Sequence, residues 1–340
     1  MCVIVAKKIK LQNSDVTNWF LYKIRDRVYV PKYSIRFLRK RGVEAVYLVD
    51  NVNDWTEGVN SKGIMIVNTA LQNHADEVQG DAGDPLNPRH KNRDGIIIRQ
   101  CLKMTDIKEV VQTIKDELLL GNTFVSDGTR LFVIEIAIKA EAVTRATEAI
   151  KNIDDIKFAA DVQHMIMKGI NPEDYLVKST EIKDPKIDLV VRTNHGILVP
   201  EAGYQKDDPD PVGYESSMAR YKHTYEAIKD MDQDTHPFEV LTVIKNLGKD
   251  EVDKNPKNRP IRNKGWSKYF SGCVVMLTPT GTLYVVPIHC SFATTDFKHI
   301  NDNHDVSVII LPRDLPLFES LGRPRLGDYV KMSQYEKLLW

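Results

Sequence analysis

Short runs rich in valine and isoleucine, each bounded by turn residues, recur along nearly the whole chain, and no other feature limits its fold as much. They read CVIVA (2–6), AVYLV (45–49), GIMIVN (63–68), GIIIRQC (95–101), TFVSD (123–127), RLFVIEIAI (130–138), IDLVVRT (187–193), GCVVMLT (272–278), GTLYVVPI (281–288) and VSVIIL (306–311). Runs this short, β-branched and punctuated predict strands. Asp127-Gly128 tolerates positive φ and predicts a hairpin between two of them, and TPTGT (278–282) predicts another.

Helical periodicity falls between the strands. TDIKEVVQTIKDELLLG (105–121) sets Ile107, Val110, Val111, Ile114 and Leu118 on one stripe, with Thr105 or Asp106 to cap it and Gly121 to stop it. SSMARYKHTYEAIKDM (216–231) groups Met218, Tyr221, Tyr225 and Ile228, with Ser216 as its cap. KAEAVTRATEAIKN (139–152) and the stretch around 154–168 carry weaker helical patterns. Many strands with helices clustered between them predict an α+β protein with layered sheets. At 340 residues the chain can bury a large core, and 79–95 and 245–268 read as long loops of the lid or binding kind.

Composition removes several function classes. Lys+Arg and Asp+Glu both count 47, so no net field draws the chain to nucleic acid or an anionic membrane. The basic run RFLRKRG (36–42) reads as solvated surface. No apolar run approaches the ~20 residues that span a bilayer. KKIKLQNSD (7–15) breaks any signal-like hydrophobic start, so a cytoplasmic location is expected. Cys2, Cys101, Cys273 and Cys290 are scattered without C-x-x-C spacing, against a zinc site or a disulfide framework. The last three lie in apolar runs and read as inert core thiols. No zincin, phosphate-loop or G-x-S-x-G pattern occurs, and no metal or cofactor is expected. His74, His90, His164 and His304 have no local partner pattern.

Cys2 stands apart, because removal of the initiator methionine would leave it as residue one. A buried first strand would explain it as a small hydrophobe. The chemical alternative is a thiol beside its own α-amine. The amine titrates near 7.7–8.0 and a thiol near 8.5, so the amine can take the thiol proton and later return it. One residue then supplies nucleophile and base, and a cationic neighbour would favour the thiolate further.

Several further stretches, in order, give that alternative weight. The start MC with YKIRDR (22–27), TEGVNSKGIMIVNTAL (56–71), NTFVSDGTRLFVIEIA (122–137), VVRTNHGILVPEAGY (190–204) and ESSMARYKH (215–223) together resemble the cysteine-type N-terminal nucleophile hydrolases. The likeness is to the choloylglycine hydrolase, penicillin V acylase and isopenicillin-N acyltransferase superfamily, and covers roughly two thirds of the chain. It implies a four-layer αββα sandwich of two stacked antiparallel sheets, taken as a single domain over 2–340. Cys2 would be the nucleophile, Lys23 the cation that lowers its pKa, and Asp26 the group orienting the α-amine. Arg25 and Arg27 compete for the cationic role. Asn68 would give its backbone N–H, and Asn194 its side-chain amide, to the oxyanion. Arg220 would point into the site, pairing with a carboxylate such as Asp26 or supporting the nucleophile's field. His195 would be wall rather than base, and Thr193, Asp127 and Glu135 would be structural. Asn60 and Gly63 need only a turn to explain them.

The chain departs from that pattern at Tyr22, where glycine is usual, at Lys23, where bile-salt hydrolases carry arginine, and at Gly196, where TNHF is common. The implied activity is hydrolysis of a linear non-peptide C–N amide, with acyl transfer to an amine as a close variant. A small-molecule acyl amide would be the partner, with neither nucleic acid nor membrane. Homo-oligomers are frequent in that superfamily, but no segment here proves one. Two other readings stay open at this point: a glutamine amidotransferase-type amidohydrolase, and an inactive scaffold that binds or builds.

Overall fold

The computed structural model describes residues 2–10, 15–27, 31–40, 42–51, 53–71, 93–150, 169–207, 212–247, 271–288, 291–292 and 307–309. The predicted loop 79–95 lies outside them up to residue 92, the loop 245–268 from residue 248, and the helical stretch 154–168 entirely.

Two sheets carry the fold. The first contains β1 (Cys2–Lys10), β2 (Thr17–Arg27), β10 (Leu189–Arg192), β11 (Ser271–Leu277), β12 (Leu283–Ile288) and β14 (Ser307–Ile309), in the order β10-β1-β2-β11-β12-β14. The second contains β3 (Lys32–Lys40), β4 (Val43–Asp50), β5 (Thr56–Asn60), β6 (Met65–Thr69), β7 (Gly121–Ser126), β8 (Leu131–Ile138), β9 (Tyr175–Glu181) and β13 (Ser291–Phe292), in the order β13-β3-β4-β5-β6-β7-β8-β9. Neighbouring strands are antiparallel except for the short parallel pair β13·β3.

The side-chain period of two sorts each strand's residues between faces. Ile4 and Ala6 of β1, Trp19 and Leu21 of β2, and Cys273 and Val275 of β11 meet Tyr33, Val46, Leu48, Val59, Val67, Phe124 and Val133 of the second sheet in one buried cluster. Val3, Val5, Phe20, Tyr22 and Ile24 turn the other way, onto the residues of two helices, α4 (Val212–Ile228) and α5 (Pro237–Leu247). The outer face of the second sheet, with Tyr47, Val49, Ile66, Val125 and Ile134, is covered by α1 (Arg93–Cys101) and α2 (Ile107–Asp116). The layers therefore run helix, sheet, sheet, helix, the expected α+β αββα sandwich. A further helix, α3 (Ala140–Ile150), follows β8 directly.

Two expectations need correction. GIIIRQC (95–101) is helix α1, not a strand. Ile97, Ile98, Cys101 and Leu102 recur at i and i+4 and pack on the outer face of the second sheet, while Ile96 is left exposed. Three consecutive isoleucines favour a strand locally, and the need to cover that face overrides them. The helix of 105–121 is shorter than its stripe: Asp106 caps it by accepting from the Lys108 N–H, and it stops at Asp116. Leu118 then takes φ of 54°, and Gly121 opens β7 rather than ending the helix. Tyr22, where the resembled family has glycine, is a core residue facing α5, and its hydroxyl donates to the Pro237 carbonyl at 3.2 Å. None of the described helices is long and apolar enough to cross a membrane.

Candidate active site

The pairing of β1 with β10 runs from Lys7↔Leu189 to Ile4↔Arg192. Continued by two residues, that register sets Cys2 opposite Asn194. The ladder does not continue, and side chains complete it. The Cys2 backbone N–H donates to Asn194 Oδ1 at 3.2 Å, and Arg220 Nη1 donates to the Cys2 carbonyl at 2.8 Å and to Asn194 Oδ1 at 2.9 Å. The Asn194 amide is oriented by this network. Its oxygen meets two donors, while its nitrogen donates to the Ala70 carbonyl at 2.6 Å and, more loosely, to Thr69 Oγ1 at 3.3 Å.

Arg220 reaches this point because α4 buries a polar stripe. Ser216, Ser217, Arg220, Thr224 and Ile228 are buried at helical spacing, while Tyr225 of the predicted apolar face is exposed. Ser216 lies inside the helix and accepts from Arg220 Nε at 3.1 Å, so it is not the cap. Ser217 Oγ accepts from the Asn194 N–H at 2.9 Å and lies 2.8 Å from His195 Nδ1. Burial, with the charges of Arg220 and Arg192, pushes the His195 pKa down to about 4. The imidazole is neutral at pH 7 and packs edge-on against Tyr214 and Tyr221.

Next to Cys2 the inter-sheet layer becomes ionic. Arg25 sits directly opposite Cys2 in the β1·β2 register and opposite Cys273 in β2·β11, and Lys23 lies two residues along the same face. Both cations are fully buried. Glu57 of β5 answers them: Oε1 accepts from Lys23 Nζ and, at 3.0 Å, from Arg25 Nε, and Oε2 accepts from Arg25 Nη2 at 2.5 Å. Asp50 Oδ2 stands 3.6 Å from Arg25 Nη1. Burial alone would raise the Glu57 pKa, but Arg25 and Lys23 overcome it and hold it below the ordinary carboxylate value. Burial pushes the Lys23 ammonium down to about 8, against the pull of Glu57 and, more weakly, of Cys2.

Lys23 Nζ also donates to the Asn68 carbonyl. A residue's N–H and C=O leave an extended strand on the same side, so the Asn68 N–H points toward the Lys23 side of β6. Its side chain turns the other way, donating to the Leu120 carbonyl at 3.0 Å and to Thr123 Oγ1 at 2.8 Å. Only the backbone of Asn68 is presented to the cluster.

Of the residues singled out in the sequence, Cys2, Lys23, Asn194, Arg220 and the backbone of Asn68 thus share one end of the inter-sheet layer. For Asp26 only the backbone is described, paired with Gly272 on β11, and its side chain lies outside the described residues. Thr193 is held by Ser217, His195 and Asn122, whose Nδ2 donates to the Thr193 carbonyl at 2.8 Å. Asn60 organises its turn, accepting from the Lys62 and Ile64 N–H groups, with Gly63 at φ of 79°.

Two contributors were not assigned chemistry from the sequence. Glu57 has its partners 32 and 34 residues away, and nothing local marks it. Glu135 is fully buried; its Oε2 accepts from three successive N–H groups, Ile197, Leu198 and Val199, and its Oε1 from Arg192 Nε. It ties down the loop that follows Asn194. Gly196 belongs to this loop for a steric reason, since a Cβ there would sit 1.8 Å from the Val199 carbonyl oxygen. Among the described residues no group of His, Cys, Asp and Glu could hold a metal ion.

No protein-family model matches the chain, and no curated protein matches it in sequence. Among solved structures it is similar to a penicillin V acylase from Agrobacterium tumefaciens, with a TM-score of 0.41 and 9% identity, over 96% of this chain and 100% of that one.

Proposed function

We propose that this chain is an N-terminal cysteine amidohydrolase that cleaves linear, non-peptide C–N amides through an acyl-thioester. One observation carries the reading: the two backbone groups of Cys2 are held by the side chains of Asn194 and Arg220 where a strand ladder would otherwise continue. A buried strand end needs partners for these groups in any fold, and in this reading they are the contacts that would orient the α-amine. The Cys2 side chain shares its face with two buried cations, and cationic surroundings favour a thiolate.

With Met1 removed, the Cys2 nitrogen is an amine held by Asn194 Oδ1. It takes the thiol proton, and the sulfur adds to the amide carbon. The tetrahedral oxyanion is met by the Asn68 N–H and by Asn194 Nδ2, which gives up its longer bond to Thr69. The ammonium then protonates the departing nitrogen as the C–N bond breaks, leaving the acyl group on sulfur. Water adds to the thioester, the amine removes its proton, and the acid leaves as the thiol is restored. Transfer to a second amine in place of water is the close variant. His195, neutral and engaged at Nδ1, takes no part in proton transfer. The reading expects a cytoplasmic enzyme without a cofactor.

Mass spectrometry of the active protein should find Met1 absent. All three described cysteines are buried, so selectivity must come from thiolate character: iodoacetamide should modify Cys2 well ahead of Cys101, whose burial pushes its pKa up to about 12, and of Cys273. A panel of acyl amides, read by released amine, should give turnover in the wild type and none in Cys2→Ala. Equal turnover by the two proteins would sink the proposal, and an inert panel with an unreactive Cys2 would favour a binding scaffold.

A further inference from the structure

We propose that Glu57 is a positioning residue for Cys2: its carboxylate holds Lys23 and Arg25 in one fork, so that the Lys23 ammonium stays charged and fixed beside the thiol. The inference rests on the reading of Cys2 as nucleophile, and deepens it by naming what sets the nucleophile's field.

The argument begins with parity. Lys23 and Arg25 are two apart on β2 and therefore point to the same face. Two fully buried cations side by side repel, and each has lost its water. They are not equivalent in their response. A guanidinium does not give up its proton, whereas a buried ammonium readily does. Left alone, the pair would relax by Lys23 losing its charge.

Glu57 prevents this by geometry. Oε1 is shared between Lys23 Nζ and Arg25 Nε, and Oε2 takes Arg25 Nη2, so one carboxylate fixes both cations and their separation. A second Lys23 donor goes to the Asn68 carbonyl, which ties the ammonium to the strand expected to supply an oxyanion donor. Cys2 and Lys23 are diagonal neighbours across β1·β2, a spacing of roughly 7–8 Å between Cα atoms that long side chains span. Among the described residues, the charged and titratable groups facing the cluster are Cys2 from β1, Lys23 and Arg25 from β2, Asp50 from β4, Glu57 from β5, Cys273 from β11 and, on the far side of Cys2, Arg220 from α4. Tyr33 of β3 lies under the Arg25 guanidinium, 5.6 Å from its ring centre, and Trp55 lies 5.3 Å from Lys23 Nζ. Asp50 reaches Arg25, and among the described residues Glu57 is the carboxylate bonded to Lys23.

The test needs no substrate. The rate of Cys2 alkylation by iodoacetamide is followed against pH, site by site by mass spectrometry, in wild type, Glu57→Gln and Glu57→Asp. Glu57→Gln keeps the shape but not the charge. Its alkylation midpoint should move to higher pH by about one unit, the size expected when an adjacent opposite charge is lost. Glu57→Asp keeps the charge at a shorter reach and should move the midpoint less, in the same direction. Turnover should fall with kcat rather than KM. An unmoved or lowered midpoint in folded Glu57→Gln would overturn the proposal. If Glu57→Gln does not fold, an unshifted Glu57→Asp overturns it instead. A wild-type Cys2 that is not alkylated ahead of Cys101 and Cys273 refutes the nucleophile reading itself, a result distinct from a reactive Cys2 indifferent to residue 57.

Discussion

The layer between the two sheets has two ends, and β2 runs through both on a single face. At one end Trp19 and Leu21 meet Val46, Leu48, Val67, Phe124 and Val133. At the other end the same face offers Lys23 and Arg25 to Glu57 and Asp50, beside Cys2. All four ionic residues are as buried as the hydrocarbon ones. The first end stabilises the fold through apolar area, at about 25 cal/mol per Å² removed from water. The second end carries desolvation costs that ion pairing barely offsets, so it is a poor source of stability. Perturbed ionisable groups gathered at one point are common to functional sites and to structural ion-pair networks. Equal burial therefore serves two ends: one holds the sheets together, and the other holds charge in place.

That contrast can be broken by substitution. The largest effect on chemistry is expected at Cys2, where Cys2→Ala should remove turnover by ~10⁴-fold or more with little change in thermal midpoint. If unfolding accompanied the loss of activity, the two ends would not be separable. The largest effect on stability is expected at the hydrocarbon end: Phe124→Ala should cost about 3–5 kcal/mol in denaturant unfolding. The Cys2 alkylation profile of its folded fraction should remain that of wild type.

Asn194→Ala should reduce turnover by ~10²–10³, as expected for loss of an oxyanion donor, and should also lower the thermal midpoint because Arg220 loses an acceptor. A pure stability loss, with kcat intact, would move Asn194 to the structural side of the comparison.

The smallest effect concerns His195. Its folded pKa, about 4, lies below the ordinary value of 6.5, so the unfolded chain binds the extra proton first as pH falls. The neutral imidazole contributes stability in full above pH 6.5, and that contribution is lost as pH falls from 6.5 through 4. His195→Asn should flatten the melting temperature against pH within this window and leave the neutral-pH rate nearly unchanged. A new rate limb near pH 6.5 in the wild type, absent from His195→Asn, would instead assign the imidazole a proton-transfer role.

Most strands were legible because their β-branched runs sit between turn residues. The hairpins at Gly128 and Gly281, with φ of 91° and 89°, were legible from their turn chemistry. Strands β2, β3, β5 and β9 were not anticipated, nor was α5. In β2 the polar run Lys23, Arg25, Asp26 and Arg27 hides a strand, because local polarity carries no sign of the Glu57 and Asp50 carboxylates that let the first two be buried. The same failure recurs in α4. Apolar spacing chose Met218, Tyr221, Tyr225 and Ile228 for the buried face; Ile228 is buried, but Ser216, Ser217, Arg220 and Thr224 are buried with it, and Ser217 and Arg220 bond the 193–195 segment and Cys2. Asn194 and Arg220 were legible from motif resemblance, but the bonds they make to Cys2 were not.

By itself the sequence determined the strand-rich α+β class and the turns that join its hairpins. Those are properties of short windows: propensity and turn chemistry act over a few residues. Only the tertiary structure decided that GIIIRQC would be a helix, that α4 would turn its polar side inward, and that Glu57 would join Lys23 and Arg25 beside Cys2. Each of these outcomes depends on what a face is packed against, and a buried charge is tolerated only where the fold delivers its counter-charge from a distant strand.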